Sequence, residues 1–282
     1  MLNPSIYVLY SELVLSLYPL LIKTIHTNTY TQVLSRFLVF PILATIFGTN
    51  TFKTLSTSIL PNILNIVHVF VSYIAFKILP IGTAISLFYL YPFFNVIAGH
   101  FIFGEYISFL SIILIGVSFI GVYLIATSQE KEKEKEKEKE SKFTFGVLMA
   151  LFAAITETMI YVFVRSDKNA IASPFYAVNH LYPLGLILLG LYGVFNTSII
   201  DVSLNNWIKL IGFNALLGFT GYIARFYSIP KIPTIIFALL SFFGVSFGYL
   251  WGNLFTTDIP TNKAIIGSIC IAGSISLLRY FE

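Results

Sequence analysis

Ten apolar stretches follow one another along the chain, at 4–23, 30–48, 58–79, 81–103, 107–127, 144–164, 172–195, 207–228, 234–256 and 263–281. Each is about 20 residues long, the length at which a helix crosses the hydrocarbon core of a bilayer. None shows the two-residue alternation over about ten residues that marks a strand of a membrane barrel. Backbone groups in lipid must be satisfied internally, so the pattern predicts an all-α membrane protein of ten transmembrane helices. Breakers agree with the cuts. "FGTNT" ends the second stretch, "ILPIG" separates the third from the fourth, and "SIPKIP" separates the eighth from the ninth. Only "GEY" joins the fourth to the fifth, which predicts a tight antiparallel hairpin. The first stretch contains Glu12 and has neither a basic leader nor a small-x-small site, so it reads as a retained span.

The run "EKEKEKEKEKE" at 130–140 divides these stretches into two sets of five. The expected organisation is a first five-helix repeat over 1–128, a charged low-complexity linker over 129–142 and a second repeat over 143–282. Strict alternation puts like charges at i, i+4, which favours a solvated linker. Every lysine has a glutamate beside it, so the run is no polybasic lipid patch. The fourth and ninth stretches share a pattern. Pro80, Gly99 and Glu105 map onto Pro233, Gly252 and Asp258 at one offset of 153 residues. Halves with an odd number of crossings insert in opposite orientations. Two inverted repeats are a transporter architecture that can open a shared midplane site to one side at a time.

Composition sharpens this. Hydrophobic residues make up 57% of the 282 and charged residues 11%, where a soluble domain carries about 25% charged. Twelve of the thirty charged residues lie between Glu130 and Lys142. Too few remain to cover a water-facing surface, which excludes a soluble enzyme, a secreted domain and a nucleic-acid binder. The net charge of +4 comes from basic residues standing singly at the ends of apolar stretches, where they reach toward headgroups. One cysteine, Cys270, makes neither an intrachain disulfide nor a zinc cluster. There is no HExxH, GxSxG, P-loop or CxxC. No enzyme, cofactor or metal site is expected. The short-loop basic residues split five against four between the two sides, which leaves orientation and the identity of the membrane open.

The segment "YIAFKILPIGTAISLFYLYPFFNVIAGHFIFGEYIS" carries a loop proline, a mid-helix proline (Pro92) and a terminal Gly104-Glu105. With Arg36 in "LSRFLVFPILA" and Lys23 closing the first stretch, it resembles the drug/metabolite transporter superfamily, in particular its EamA-like ten-helix carriers. Departures are "YSE" near the place of the family's first-helix Trp-Gly, and "TTD" in place of the second Gly-Glu. The resemblance implies cytoplasmic termini, with the linker on the far side.

Charge at bilayer depth is costly and marks candidate sites. Counting residues along each stretch puts Glu12, Arg36, His68, Asn95, Glu157 and His180 at similar depth on six helices, as a central substrate-binding site requires. Arg36 would clamp a carboxylate or phosphate, or form an ion pair with Glu12 or Glu157. Those two acids would carry a coupling proton or compensate the arginine. His68 and His180 would relay protons or bond a neighbouring helix. Asn95, close after Pro92, would reach carbonyls loosened by the proline or bond between helices. Arg225 and Lys77 read as interfacial anchors, and Glu105 and Asp258 as helix-terminus residues. Tyr91, Tyr161 and Tyr222 would line a cavity or pack against lipid. The ridge Gly244, Gly248, Gly252 fits packing inside the bundle better than a homodimer interface. The function expected is a multi-pass secondary transporter of a small polar solute. The alternative is a non-transporting scaffold or receptor on the same fold.

Overall fold

The computed structural model describes residues 3–48, 59–79, 81–127, 137–201, 203–255 and 262–281. Pro80, Lys53, Asp258 and the linker up to residue 136 lie outside them. Among the described residues the chain is helical, without a strand. In chain order the helices are α1 (Pro4–Leu15), α2 (Tyr18–Thr24), α3 (Thr29–Phe47), α4 (Ile59–Ile78), α5 (Ile81–Phe88), α6 (Tyr91–Phe103), α7 (Phe109–Thr127), α8 (Lys137–Ser166), α9 (Lys168–Ala172), α10 (Pro174–Leu181), α11 (Pro183–Phe195), α12 (Leu204–Phe213), α13 (Thr220–Ser228), α14 (Thr234–Ser241), α15 (Phe243–Phe255) and α16 (Asn262–Phe281). The end of the charged run, 137–142, forms the start of α8.

Among the described residues, seven helical segments are long and apolar enough to cross a membrane: Pro4–Thr24, Thr29–Phe47, Ile59–Ile78, Ser141–Ser166, Pro174–Phe195, Leu204–Lys231 and Thr234–Phe255. Shorter apolar helices run over Tyr91–Phe103 and Phe109–Gly121. The outer surface is apolar as well: Leu60, Phe101, Tyr106, Phe109 and Phe195 are each at least 76% exposed. A soluble monomer does not present such a surface to water. The fold is that of a membrane-embedded helical protein.

Local sequence explains the interruptions. The tripeptide Leu-Tyr-Pro occurs at 17–19, 90–92 and 181–183. Proline has no N–H to give the preceding turn and suits the first turn of a new helix. Each tripeptide therefore ends one helix and starts the next: α1 to α2, α5 to α6 and α10 to α11. A fourth interruption is a turn of π-helix at Asn214–Phe219, between α12 and α13.

The helices pack in a regular scheme. Principal pairs are α4 with α8, α1 with α13, and α7 with α16; α6 packs on α14, and α15 on α5. Connections meet at two ends. At one, Glu105 accepts the Thr234 N–H at 2.9 Å and pairs with Arg165, which also donates to the Ile229 and Ile232 carbonyls. At the other, Lys23 donates to the Leu79 carbonyl at 2.6 Å, and Asn28 donates to that of Ile199 at 2.6 Å.

Candidate functional site

The three Leu-Tyr-Pro interruptions deliver tyrosines to the bundle centre. Tyr89 and Tyr91 flank the α5–α6 break, and both hydroxyls donate to the buried Glu12 carboxylate of α1, at 2.7 and 3.1 Å. Tyr182, at the α10–α11 break, accepts from Arg36 of α3, from Nη2 at 2.7 Å and Nε at 3.1 Å. Tyr18, at the α1–α2 break, donates to Asn214 at 2.8 Å, where the π turn widens the helix. Trp251 of α15 donates to the Leu13 carbonyl and Ser16 hydroxyl beside that first break.

The buried charges form two groups. In the first, the Arg225 guanidinium lies 3.3 Å from Glu157 and 3.7 Å from Glu12. Glu157 in turn stands 3.1 Å from His68 Nε2. His68 Nδ1 faces the Ala153 carbonyl at 3.2 Å and the Thr156 hydroxyl at 3.0 Å. Arg225 also lies over the Tyr91 ring, 4.6 Å from its centroid. In the second group, Arg36 sits among Tyr222, Tyr18, Phe40 and Tyr182, with centroid distances of 4.4 to 5.6 Å. Cation–π attraction contributes about 2 kcal/mol when such a pair is desolvated. Both groups border one cavity of about 30 Å³, where Arg36, Arg225, His68 and Ser72 stand among largely apolar walls that include Phe76 and Phe88. That is room for a water or two; a metabolite would enter only if the helices part.

Four of the six candidate residues are thus gathered. Glu12, His68 and Glu157 form one contact network through Arg225, and Arg36 shares its cavity. Asn95 is fully buried with neither amide atom hydrogen-bonded, and it is outside the cavity lining. His180 is also apart from it, tilted against Tyr176 at 4.0 Å and stacked on Phe163 at 5.7 Å.

Two expectations are corrected. Arg225 is no interfacial anchor; it is 2% exposed and ties the two acids together. Arg36 makes no ion pair with Glu12 or Glu157; Arg225 does. Sequence reasoning also gave no role to Tyr18, Tyr89 or Tyr182, although the threefold Leu-Tyr-Pro was there to be read. Among the described residues no group of His, Cys, Asp and Glu side chains is arranged to hold a metal.

No family model matches the chain, and no curated protein is found similar to it. Solved structures do match. One, described only as "Crystal structure of protein", superposes with a TM-score of 0.77 at 12% identity, covering 99% of each chain. The fold is therefore one already seen in a solved structure along its whole length.

Proposed function

We propose that the chain is a secondary transporter for a small polar solute, built from ten spans in two inverted five-helix repeats, 1–128 and 143–282, and related to the EamA-like carriers. The observation that carries this reading is the set of buried charged and polar groups around one cavity, inside a bundle whose outside is apolar. Such groups are costly at that depth, and a solute site gives them a use. Repeat symmetry is supported by the helix breaks. The pair α5 and α6 has 8 and 13 residues, as has the pair α14 and α15. Shifting Ile81–Phe88 by 153 residues lands on Thr234–Ser241. The packing is reciprocal too, since α6 meets α14 while α15 meets α5. Moving each span five places along the chain turns the α4–α8 pair into the α1–α13 pair.

The test is flux. Purified protein in liposomes should exchange a labelled solute from a panel of amino acids, organic anions, sugars and nucleotides, and Arg36→Ala should abolish the exchange. A second reading, a non-transporting scaffold or receptor, is favoured by the closed ion pairs of Arg225 and the small cavity. It expects no flux for any solute on the panel.

A further inference from the structure

The two buried arginines are compensated differently. Arg225 contacts two carboxylates. Arg36 contacts none among the described residues; its partners are aromatic rings and the Tyr182 hydroxyl. The buried Tyr73 hydroxyl stands beside Arg36 and lines the same cavity. A guanidinium so placed is an anion site. Its single charge limits the anion to one negative charge, because Arg225 is already engaged by two acids. Among the described residues a phosphate dianion would face no second cation at the cavity beyond the engaged Arg225, so the geometry favours a carboxylate beside an apolar or aromatic body.

The His68–Glu157 pair is arranged to hold or release a proton. With neutral imidazole, the Thr156 hydroxyl donates to Nδ1, and Nε2 lies 3.1 Å from the Glu157 carboxylate. With imidazolium, Nδ1–H donates to the Ala153 carbonyl at 3.2 Å, and the Thr156 hydroxyl turns to the Phe152 carbonyl at 3.0 Å. Nδ1 therefore has a partner in either state. The charged groups around the pair are Arg225 from α13, with Glu12 of α1 beyond it, and Arg36 from α3 across the shared cavity. The phenols are Tyr73 on α4, Tyr222 on α13, and Tyr89 and Tyr91 at the α5–α6 break. No other ionisable side chain reaches ion-pair distance of it among the described residues. Two arginines and two glutamates cancel. An added anion leaves the buried centre one charge short, and burying that charge alone is costly.

We infer that the centre binds an organic monocarboxylate at Arg36 together with a proton taken from solution onto the His68–Glu157 pair. This rests on the reading of the centre as a solute site. The test uses the full chain in detergent, weakly buffered, with a pH indicator and thermal unfolding as readouts. The probes are butyrate and phenylacetate, their uncharged amides, phenylalanine and inorganic phosphate. Both carboxylates should raise the melting temperature by about 2 °C or more and make the solution more alkaline, while the amides should do neither. Arg36→Lys should weaken carboxylate binding about tenfold or more. Glu157→Gln should remove the proton uptake. Stabilisation by the amides as strong as by the acids overturns the inference. So does equal stabilisation by phenylalanine without proton uptake, a larger effect of phosphate, or no effect of either carboxylate. Failures are separable. Carboxylate binding with proton uptake but no flux in liposomes retires the transporter reading alone. Flux of uncharged solutes that is untouched by Arg36→Lys retires this inference alone.

Discussion

Arg225 holds Glu12 and Glu157 at 3.7 and 3.3 Å in the middle of an apolar bundle, so its removal leaves two carboxylates with no cation between them. Breaking a buried ion pair from one side costs about 3–5 kcal/mol. Arg225→Gln should lower stability by that order in urea or thermal unfolding in detergent, and Arg225→Lys should lose less. A wild-type unfolding curve for Arg225→Gln would contradict the role given to the cluster. At this scale the sequence was legible in part. Glu12, Arg36, His68 and Glu157 stand out because charge is rare in apolar stretches. Arg225 was hidden by its position, three residues before the end of the apolar stretch 207–228. The helix in fact runs on through a short 3-10 turn to Lys231, which draws Arg225 inward. Tyr18, Tyr89 and Tyr182 were hidden by number, since 17 tyrosines make any one unremarked. Their meaning comes from the proline that follows or the break beside them.

Among the elements, close approach of α15 to α5 depends on two glycines. A Cβ on Gly244 would overlap the Tyr89 ring, and one on Gly248 would overlap the Ile85 side chain. Tyr89 is also the residue that donates to Glu12, so this packing fixes the charge cluster as well as the helices. Gly244→Ala should cost about 1–3 kcal/mol through overpacking. Gly116→Ala on α7, where a Cβ meets nothing, should change stability by less than about 0.5 kcal/mol. Both are read in the same unfolding assay, and equal effects would contradict the packing. Helix existence was legible here: hydropathy placed each apolar stretch within a few residues of a helical segment. The breaks inside those stretches were not, because hydropathy does not register a proline that restarts a helix. The start of α8 was missed for a related reason. Lysine and glutamate are good helix formers, and 137–142 extend a helix whose apolar part begins only later.

For the whole molecule, the connections meet at two ends, with Glu105, Arg165 and Thr234 at one and Lys23, Leu79, Asn28 and Ile199 at the other. The proposed ten alternating spans would put these ends on opposite faces of the membrane. In a Cys270→Ala background, Tyr106→Cys and Ile171→Cys should react with an impermeant thiol reagent from one face only, and Asn196→Cys and Lys263→Cys from the other only. Labelling of Tyr106→Cys and Asn196→Cys from the same face would contradict the topology. The central claim is that solute and water reach the central cavity from each side in turn. Ser72 lines that cavity and is 3% exposed, and cysteine is nearly its equal in size. The most direct measurement is the reaction of Ser72→Cys, without Cys270, with a small impermeant thiol reagent applied to either face of sealed proteoliposomes. Reaction from each face, in vesicles that do not leak, is the predicted result. Protection from both faces under all conditions would mean a sealed centre, and would contradict the account.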